Sequence, residues 1–195
     1  MVSLLDIMPT VMDWFGIQHK KESVETNDIW EADEPKSLLP ILEKEPPVSE
    51  QEAVFASQSH HEVTMYFPLR AVRSRRYKLI HNLNFAMPFP IDQDLYVSPT
   101  FQDILNRTRS KQPLPWYKTL KQYYYRPQWE FYDIRADPEE LNNLHGKPAA
   151  ASAEAALRAR LRRWQRASRD PWRCAPAAVL ERGACRDLDS GLANL

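Results

Sequence analysis

The middle of the chain carries the pattern that most constrains the fold. Val63, Met65 and Phe67 recur at a period of two, and residues 69–73 and 77–83, separated by a short basic link, alternate apolar side chains with arginine, lysine and other polar side chains. A period of two places the two classes of side chain on opposite faces of a strand. The pattern therefore predicts an antiparallel sheet with one face half exposed to solvent.

Further strands and several helices are predicted around this centre. Strand-like segments at residues 54–57 and 129–132 bring the expected sheet to four strands. Capping residues and apolar periodicity predict four helices, which start at Ser3, Ser98, Asp137 and Ala151. The first should end at Gly16, the second should run to Leu105, the third should be short, and the last should run to Ser168. The expected class is α+β, with the last helix packed on the sheet.

Composition and charge restrict the possible partners. The chain is 43% hydrophobic and 11% aromatic, which is typical of a globular chain of 195 residues. Lys plus Arg and Asp plus Glu number 26 each, so no overall field attracts nucleic acid or an anionic membrane surface. We therefore expect neither nucleic acid nor a membrane surface as a partner. A membrane-spanning helix is not expected either, because no run approaches the roughly 20 apolar residues that it needs.

The N-terminal segment does not have the pattern of a signal peptide. Residues 2–15 contain Asp6 and Asp13 instead of a basic stretch followed by an apolar one. The expectation is that the numbering begins partway through a larger gene product, as in a truncated gene model or a splice form.

The two cysteines, Cys174 and Cys185, are separated by ten residues near the C-terminus. Their spacing allows a local disulfide that closes a short loop, and it equally allows two unrelated free thiols. Metal binding is the weaker alternative because no histidine or further cysteine lies near either one in the sequence.

One dense polar cluster is the main candidate for chemistry. The segment Ser57-Gln58-Ser59-His60-His61-Glu62 lies between two strand-like segments. Two imidazoles and a carboxylate could bind a metal, act as acid and base, contact an anionic substrate, or only stabilise the local structure. Adjacent residues in a strand point to opposite faces, which weakens the idea of a metal held by both histidines.

Asn106-Arg107-Thr108 forms a glycosylation sequon just past the predicted second helix. Together with a possible disulfide it favours a protein of the secretory pathway.

Ordered blocks along the chain resemble the sulfatase family. Three blocks resemble the late helix of the large domain and the C-terminal sheet of many sulfatases: VSLLDIMPTVMDWFGI, VRSRRYKLI and WEFYDIRADPEELNNL. Three more resemble the branch of the family that removes the N-sulfate from non-reducing-end glucosamine of heparan sulfate: SQSHHEVTM, HNLNFAMPFPIDQDLYVSPTFQDILNRT and DPWRCAP. The resemblance covers nearly the whole chain and is weakest at residues 17–36, at 145–165 and after Cys174.

The resemblance implies that the catalytic centre lies outside this sequence. Sulfatases make their formylglycine nucleophile from the cysteine of a Cys-x-Pro-x-Arg motif, which neither Cys174 nor Cys185 matches. The family's calcium ligands are likewise expected upstream. We therefore assign no catalytic residue and no metal ligand here, and expect no activity from the chain alone.

The resemblance assigns this chain a share of the substrate pocket. It implies that His60, His61 or Glu62, in a loop beside the cleft, contacts the sugar hydroxyls or amine, with Glu62 favoured as the partner of the amine that desulfation releases. Asp92 and Asp94 are weaker candidates of the same kind.

Processing and organisation follow from the same resemblance. It implies a glycan on Asn106, a disulfide between Cys174 and Cys185, a lysosomal location and a homodimer of the full enzyme. Residues 1–45 would end the large sulfatase domain, 46–173 would form the C-terminal subdomain, and 174–195 would be a tail. The alternative is a non-catalytic truncated product with at most a binding or dimer-contact role.

Overall fold

The computed structural model describes residues 2–17, 35–44, 53–61, 65–168 and 170–174. The helices are α1 (Ile7–Trp14), α2 (Leu39–Glu43), α3 (Gln93–Val97), α4 (Pro99–Arg109), α5 (Leu120–Tyr124) and α6 (Ala151–Ala167). The strands are β1 (Ala53–His61), β2 (Met65–Ser74), β3 (Tyr77–Asn82) and β4 (Trp129–Asp133). Short 3-10 helices lie at Leu4–Asp6, Pro148–Ala150 and Pro171–Cys174.

The four strands form one antiparallel sheet in the order β1-β2-β3-β4. Ser74 closes the tight turn between β2 and β3, since its hydroxyl oxygen accepts from the Tyr77 N–H at 2.9 Å and donates to the Tyr77 carbonyl at 3.1 Å. The most deeply buried apolar side chains of the sheet are Phe67, Val72, Leu79 and Phe131. The predicted α+β class and the four strands are confirmed.

The chain divides into two compact units. The first comprises residues 1–55, 72–77 and 155–195, and the second comprises 56–71 and 78–154. In the first unit, α6 packs on β1 through Trp164, whose ring stacks on that of Phe55 with centroids 5.1 Å apart. Leu157 and Leu161 are buried on the same helix, as the apolar spacing of this segment predicted.

Helix α1 also belongs to the first unit. Ser3 and Asp6 form the predicted capping box at the start of the 3-10 helix Leu4–Asp6, which leads directly into α1. Gly16, with a φ of 65°, follows the last turn of α1. Residues 36–38 lie along its polar side: Asp6 accepts from the Lys36 N–H at 3.0 Å and Thr10 accepts from the Leu38 N–H at 2.8 Å. Most of the large apolar residues of the segment are exposed, among them Leu4, Leu5, Met8, Trp14 and Phe15.

The second unit holds a small helical core beside the remaining sheet residues. Phe101, Ile104 and Leu120, from α4 and α5, are buried together, and partly buried apolar residues pack against them: Ile91, Leu105, Leu114, Trp116 and Tyr124. Ser98 starts α4 as predicted, because its hydroxyl accepts from the Phe101 N–H at 3.2 Å. The helix continues to Arg109, four residues beyond the predicted end at Leu105.

The predicted helix at Asp137 is wrong. Residues 137–142 form a turn in which the Asp137 carboxyl accepts from the N–H groups of Leu141 at 3.1 Å and Asn142 at 2.7 Å. Glu140 has a φ of 56°, which leaves the right-handed helical region. An aspartate followed by proline favours a turn as readily as a helix start.

Candidate functional site

The two histidines predicted to contact substrate lie side by side at the end of β1. His60 and His61 are the last two residues of the strand and both are exposed. They belong to the strand itself, whereas a loop was expected. The ring of His60 lies 5.2 Å from that of Tyr66 on β2, and Nε2 of His61 lies 3.1 Å from Oδ2 of Asp92. Each imidazole therefore has its own partner.

Asp92 is held in place by the start of α3. Its Oδ1 accepts from the Asp94 N–H at 2.7 Å, and its carbonyl accepts from the Tyr96 N–H at 2.8 Å. Its other carboxyl oxygen faces His61. The Asp92 side chain is 25% exposed and that of His61 is 62% exposed. The aspartate is thus the fixed, partly desolvated member of the pair, and the imidazole is the accessible one.

Two tyrosines lie near these residues: the ring of Tyr66 contacts His60, and the charge of Asp92 acts on the phenol of Tyr123. Burial raises the pKa of Tyr66. Burial also raises the pKa of Tyr123, where Arg126 acts in the opposite direction and Tyr124 and Asp92 add to the rise. Both phenols stay neutral near pH 7, so each can donate and accept a hydrogen bond.

The pair His61 and Asp92 can bind a polar ligand or move a proton. A carboxyl group fixes the orientation of an imidazole and can accept from an ammonium or hydroxyl group. In the part of the chain that the structure describes, no three His, Cys, Asp or Glu side chains come together as a metal site would require. These residues therefore do not fit a calcium ion, which takes six to eight oxygen ligands.

The remaining predicted residues lie apart or outside the described ranges. Glu62 and Cys185 are outside them, and for Cys174 only the backbone, at the end of the last 3-10 helix, is described. Asp94 is exposed in the first turn of α3. Asn106 is exposed within α4, not past its end. The substrate, glycosylation and disulfide assignments stay predictions.

Tyr66 and Arg126 were missed as neighbours of the site. Tyr66 lies between Met65 and Phe67, so the alternation of the strand places its side chain on the face opposite to theirs. Arg126 follows directly on Tyr123-Tyr124-Tyr125. A run of aromatic residues followed by an arginine is a weak signal for a ligand-binding surface. This signal could have identified Arg126 from the sequence.

No helix among the described residues has both the length and the apolar character needed to cross a membrane.

Comparison with known proteins points to one family. The profile of the C-terminal region of N-sulphoglucosamine sulphohydrolases matches residues 113–167. The human N-sulphoglucosamine sulphohydrolase is 53% identical over 180 residues, which are 92% of this chain and 35% of the human protein. An ulvan-active sulfatase from Formosa agariphila is 31% identical over 102 residues, 49% of this chain and 16% of that protein. The chain thus spans about a third of the length of the human relative.

Solved structures share the fold. BT4656, solved in complex with its substrate D-glucosamine-2-N,6-O-disulfate, has a TM-score of 0.50 and 24% identity, covering 86% of this chain and 25% of that one. BT1596, a 2-O GAG sulfatase, has a TM-score of 0.52 and 22% identity, covering 88% and 26%. At these identities the likeness concerns the fold alone. By its sequence, the chain corresponds to the C-terminal portion of the N-sulphoglucosamine sulphohydrolases, within the sulfatase family.

Proposed function

We propose that this chain is part of an enzyme that hydrolyses the N-sulfate of non-reducing-end N-sulfoglucosamine in heparan sulfate degradation. The identity of 53% to the human N-sulphoglucosamine sulphohydrolase, over 92% of the chain, supports this activity. BT4656, which shares the fold, has an N-sulfated glucosamine as its substrate. This reaction is that of the whole enzyme, of which the chain is one part.

The contribution proposed for this chain is one wall of the substrate pocket. The observation that carries it is the contact of 3.1 Å between His61 and Asp92. It joins a residue that the resemblance assigned to the pocket with one that was a weaker candidate of the same kind. A carboxylate suits the amine that desulfation releases, because that amine is cationic near neutral pH. The imidazole can donate to a hydroxyl or to the departing sulfate. His60 and Glu62 are proposed as sugar contacts on the ground of the resemblance alone.

The nucleophile and the calcium ion belong to other parts of the proposed enzyme. No cysteine in the 195 residues lies in a Cys-x-Pro-x-Arg motif, and the described residues do not fit calcium. Sulfate transfer needs the nucleophile, the cation and the substrate contacts to be organised together. The chain by itself should therefore bind sugar weakly and hydrolyse nothing.

We further propose that the full enzyme is lysosomal and forms a homodimer. In this chain we propose a glycan on Asn106 and a disulfide between Cys174 and Cys185. A second candidate, favoured by the exposed apolar residues of α1, is a non-catalytic product whose role is to bind a partner.

The pocket role is tested in a full-length enzyme that carries this segment. Asp92→Asn should raise KM for a methyl glycoside of N-sulfoglucosamine and lower kcat/KM by roughly tenfold, since a charged hydrogen-bond partner is lost. Glu62→Gln should depress turnover with little change in thermal stability. Asp103→Asn, which removes an exposed carboxyl paired with Arg107 on α4, is the matched control and should leave the kinetics unchanged.

Two results would contradict the pocket role: equal kinetics in the Asp92 variant and wild type, or loss of stability that precedes any loss of turnover. Hydrolysis of the same substrate by the isolated 195-residue chain, above a mock preparation, would refute the claim that the catalytic groups lie elsewhere.

A further inference from the structure

Arg126 is held on an aromatic surface of the second unit. Its guanidinium carbon lies 3.8 Å above the ring centroid of Phe89 and 5.9 Å from that of Tyr123. Phe89 is itself fixed by edge-to-face contacts with Phe67 at 4.9 Å and with Tyr123 at 5.8 Å. A guanidinium stacked on a ring in this way loses little further freedom when it binds a ligand.

The charge of Arg126 is not matched by a carboxylate within the described ranges. Ion pairs found there join other residues, among them His61 with Asp92, Lys78 with Glu140, Arg107 with Asp103, and His145 with Glu154. The aromatic ring covers one face of the guanidinium and leaves the N–H groups, which lie in its plane, available. Those groups match the paired oxygens of a carboxylate or sulfate.

A backbone contact brings this cation close to the segment that carries Asp92: the Phe89 N–H donates to the Tyr124 carbonyl at 2.6 Å, and Asp92 follows Phe89 by three residues. The pKa of the Tyr123 phenol responds to Arg126, which lowers it, and to Asp92, which raises it, beside the larger effect of burial. The charges of Arg126 and Asp92 thus act on the same phenol in opposite directions. Arg126, Tyr123, Asp92 and His61 all belong to the second unit, and together they offer a cation, a neutral donor, a carboxyl group and an imidazole.

We propose that Arg126 binds an anionic oxygen group of an acidic saccharide, on the same surface on which His61 and Asp92 contact the sugar. This inference rests on the proposed function, because it extends the pocket wall described above. The shared ligand chemistry is a sulfate or carboxylate attached to a sugar ring. Its two possible sources are the N-sulfate of the glucosamine and the carboxylate of a neighbouring uronic acid.

The test measures binding of three methyl glycosides to the full 195-residue chain by ligand-observed NMR titration: N-sulfoglucosamine, glucosamine and glucuronic acid. Arg126→Gln should weaken binding of one or both anionic sugars by about tenfold, the loss expected for a charged hydrogen-bond pair, and leave glucosamine unchanged. Arg126→Lys keeps the charge without the planar donor pair, and should recover part of the affinity.

Arg135→Gln is the matched control, since it removes one positive charge from an exposed turn and should change no affinity. Thermal unfolding of each variant tests whether the fold is kept. If Arg126→Gln does not fold, the Arg126→Lys comparison decides between the anionic and neutral sugars.

The outcomes distinguish the two possible sources of the anion, and they distinguish failure of the Arg126 proposal from failure of the pocket-wall proposal. A loss confined to N-sulfoglucosamine supports Arg126 as a contact of the N-sulfate, and a loss confined to glucuronic acid supports it as a contact of the uronic acid. An equal loss for all three sugars, no loss for either anion, or no binding of either anion by the wild type would overturn the inference. Asp92→Asn reports on the pocket wall separately: unchanged glucosamine binding in that variant counts against the wall, whatever the Arg126 result.

Discussion

The hydroxyl of Tyr132 donates a 2.6 Å hydrogen bond to Oε2 of Glu130, two residues earlier on β4, and both side chains are buried. The other carboxyl oxygen of Glu130 accepts from the Asn82 side chain at 2.7 Å, and the same Asn82 amide group donates to the Pro127 carbonyl at 2.8 Å. Three strand residues thus share one buried polar network beside the aromatic core of the sheet. Such a network stabilises the fold only while its members stay paired.

The first prediction concerns Tyr132→Phe. The change leaves a buried oxygen of Glu130 without its donor, so the free energy of unfolding should fall by about 1–3 kcal/mol near pH 7. Urea unfolding followed by circular dichroism measures it. Tyr125→Phe is the control, because Tyr125 is 56% exposed, and it should have no effect beyond a few tenths of a kcal/mol. An equal effect in both variants would contradict a role for the network.

The second prediction is a pH dependence with a definite sign. Burial, followed by the hydrogen bond to Glu130, raises the pKa of Tyr132 well above its usual value of 10.0. Above pH 10 the unfolded state loses this proton while the folded state keeps it, so the free energy of unfolding falls as pH rises. The slope from this residue approaches about 1.4 kcal/mol per pH unit. In Tyr132→Phe the fall should be shallower, and equal slopes in variant and wild type would refute the assignment.

The third prediction concerns the stack between β1 and α6. The Phe55 and Trp164 rings are nearly parallel, at an interplanar angle of 2°. Trp164→Leu should lower the free energy of unfolding by about 1–3 kcal/mol, since the ring is only partly buried. A double-mutant cycle with Phe55→Leu should show a coupling of about 0.5–1.5 kcal/mol. Strict additivity of the two single changes would show that the rings do not stabilise each other.

Local signals in the sequence predicted the elements that local interactions define. Three such elements depend on residues within a turn or two of each other: the capping box of Ser3 and Asp6, the start of α4 at Ser98 and the apolar stripe of α6. The strands were predictable for a similar reason, because alternation within each strand records which face is buried. These features needed no knowledge of the rest of the chain.

The composition of the candidate site was only partly predictable. His61 was a main candidate and Asp92 a weaker one, but their contact spans 31 positions and depends on how β1 and the start of α3 meet. The stacking of Arg126 on Phe89 likewise joins two segments that no local pattern connects. The helix predicted at Asp137 was wrong for a related reason. The sequence there has a helix-start signal, but the positive φ of Glu140, which no local pattern predicted, is incompatible with a helix.

The fourth prediction concerns the sequon. Asn106 is exposed on α4, so Asn106→Gln should remove a glycan from material made in a secretory pathway and leave the melting temperature nearly unchanged. Mass spectrometry before and after enzymatic deglycosylation measures the glycan. Thr108→Ser, which keeps the sequon, is the control and should keep the glycan. An unmodified Asn106 in wild-type material from such a pathway would count against the proposed glycan.

The last prediction compares Lys111 and Glu140, the two non-glycine residues with a positive φ within the described ranges, at 55° and 56°. Lys111 follows α4 in the position where a Schellman motif favours glycine: its N–H donates to the Thr108 carbonyl at 3.2 Å and the Gln112 N–H donates to that of Arg107 at 2.9 Å. Gly16 has the same position after α1, with matching bonds from Gly16 to Asp13 and from Ile17 to Met12. Because the Lys111 side chain is exposed, Lys111→Gly should raise the free energy of unfolding, by up to about 1 kcal/mol.

Glu140→Gly is the matched comparison for this prediction. It relieves the same backbone strain but removes the ion pair in which both carboxyl oxygens of Glu140 lie 2.8 Å from Nζ of Lys78. The pair is partly exposed, at 28% for each side chain, so its loss should offset the gain and leave little net change. Chemical denaturation of both variants in low and high salt measures the difference, and salt should narrow it, because screening weakens the ion pair and not the backbone strain. If Lys111→Gly were destabilising, the strain argument would fail at both positions.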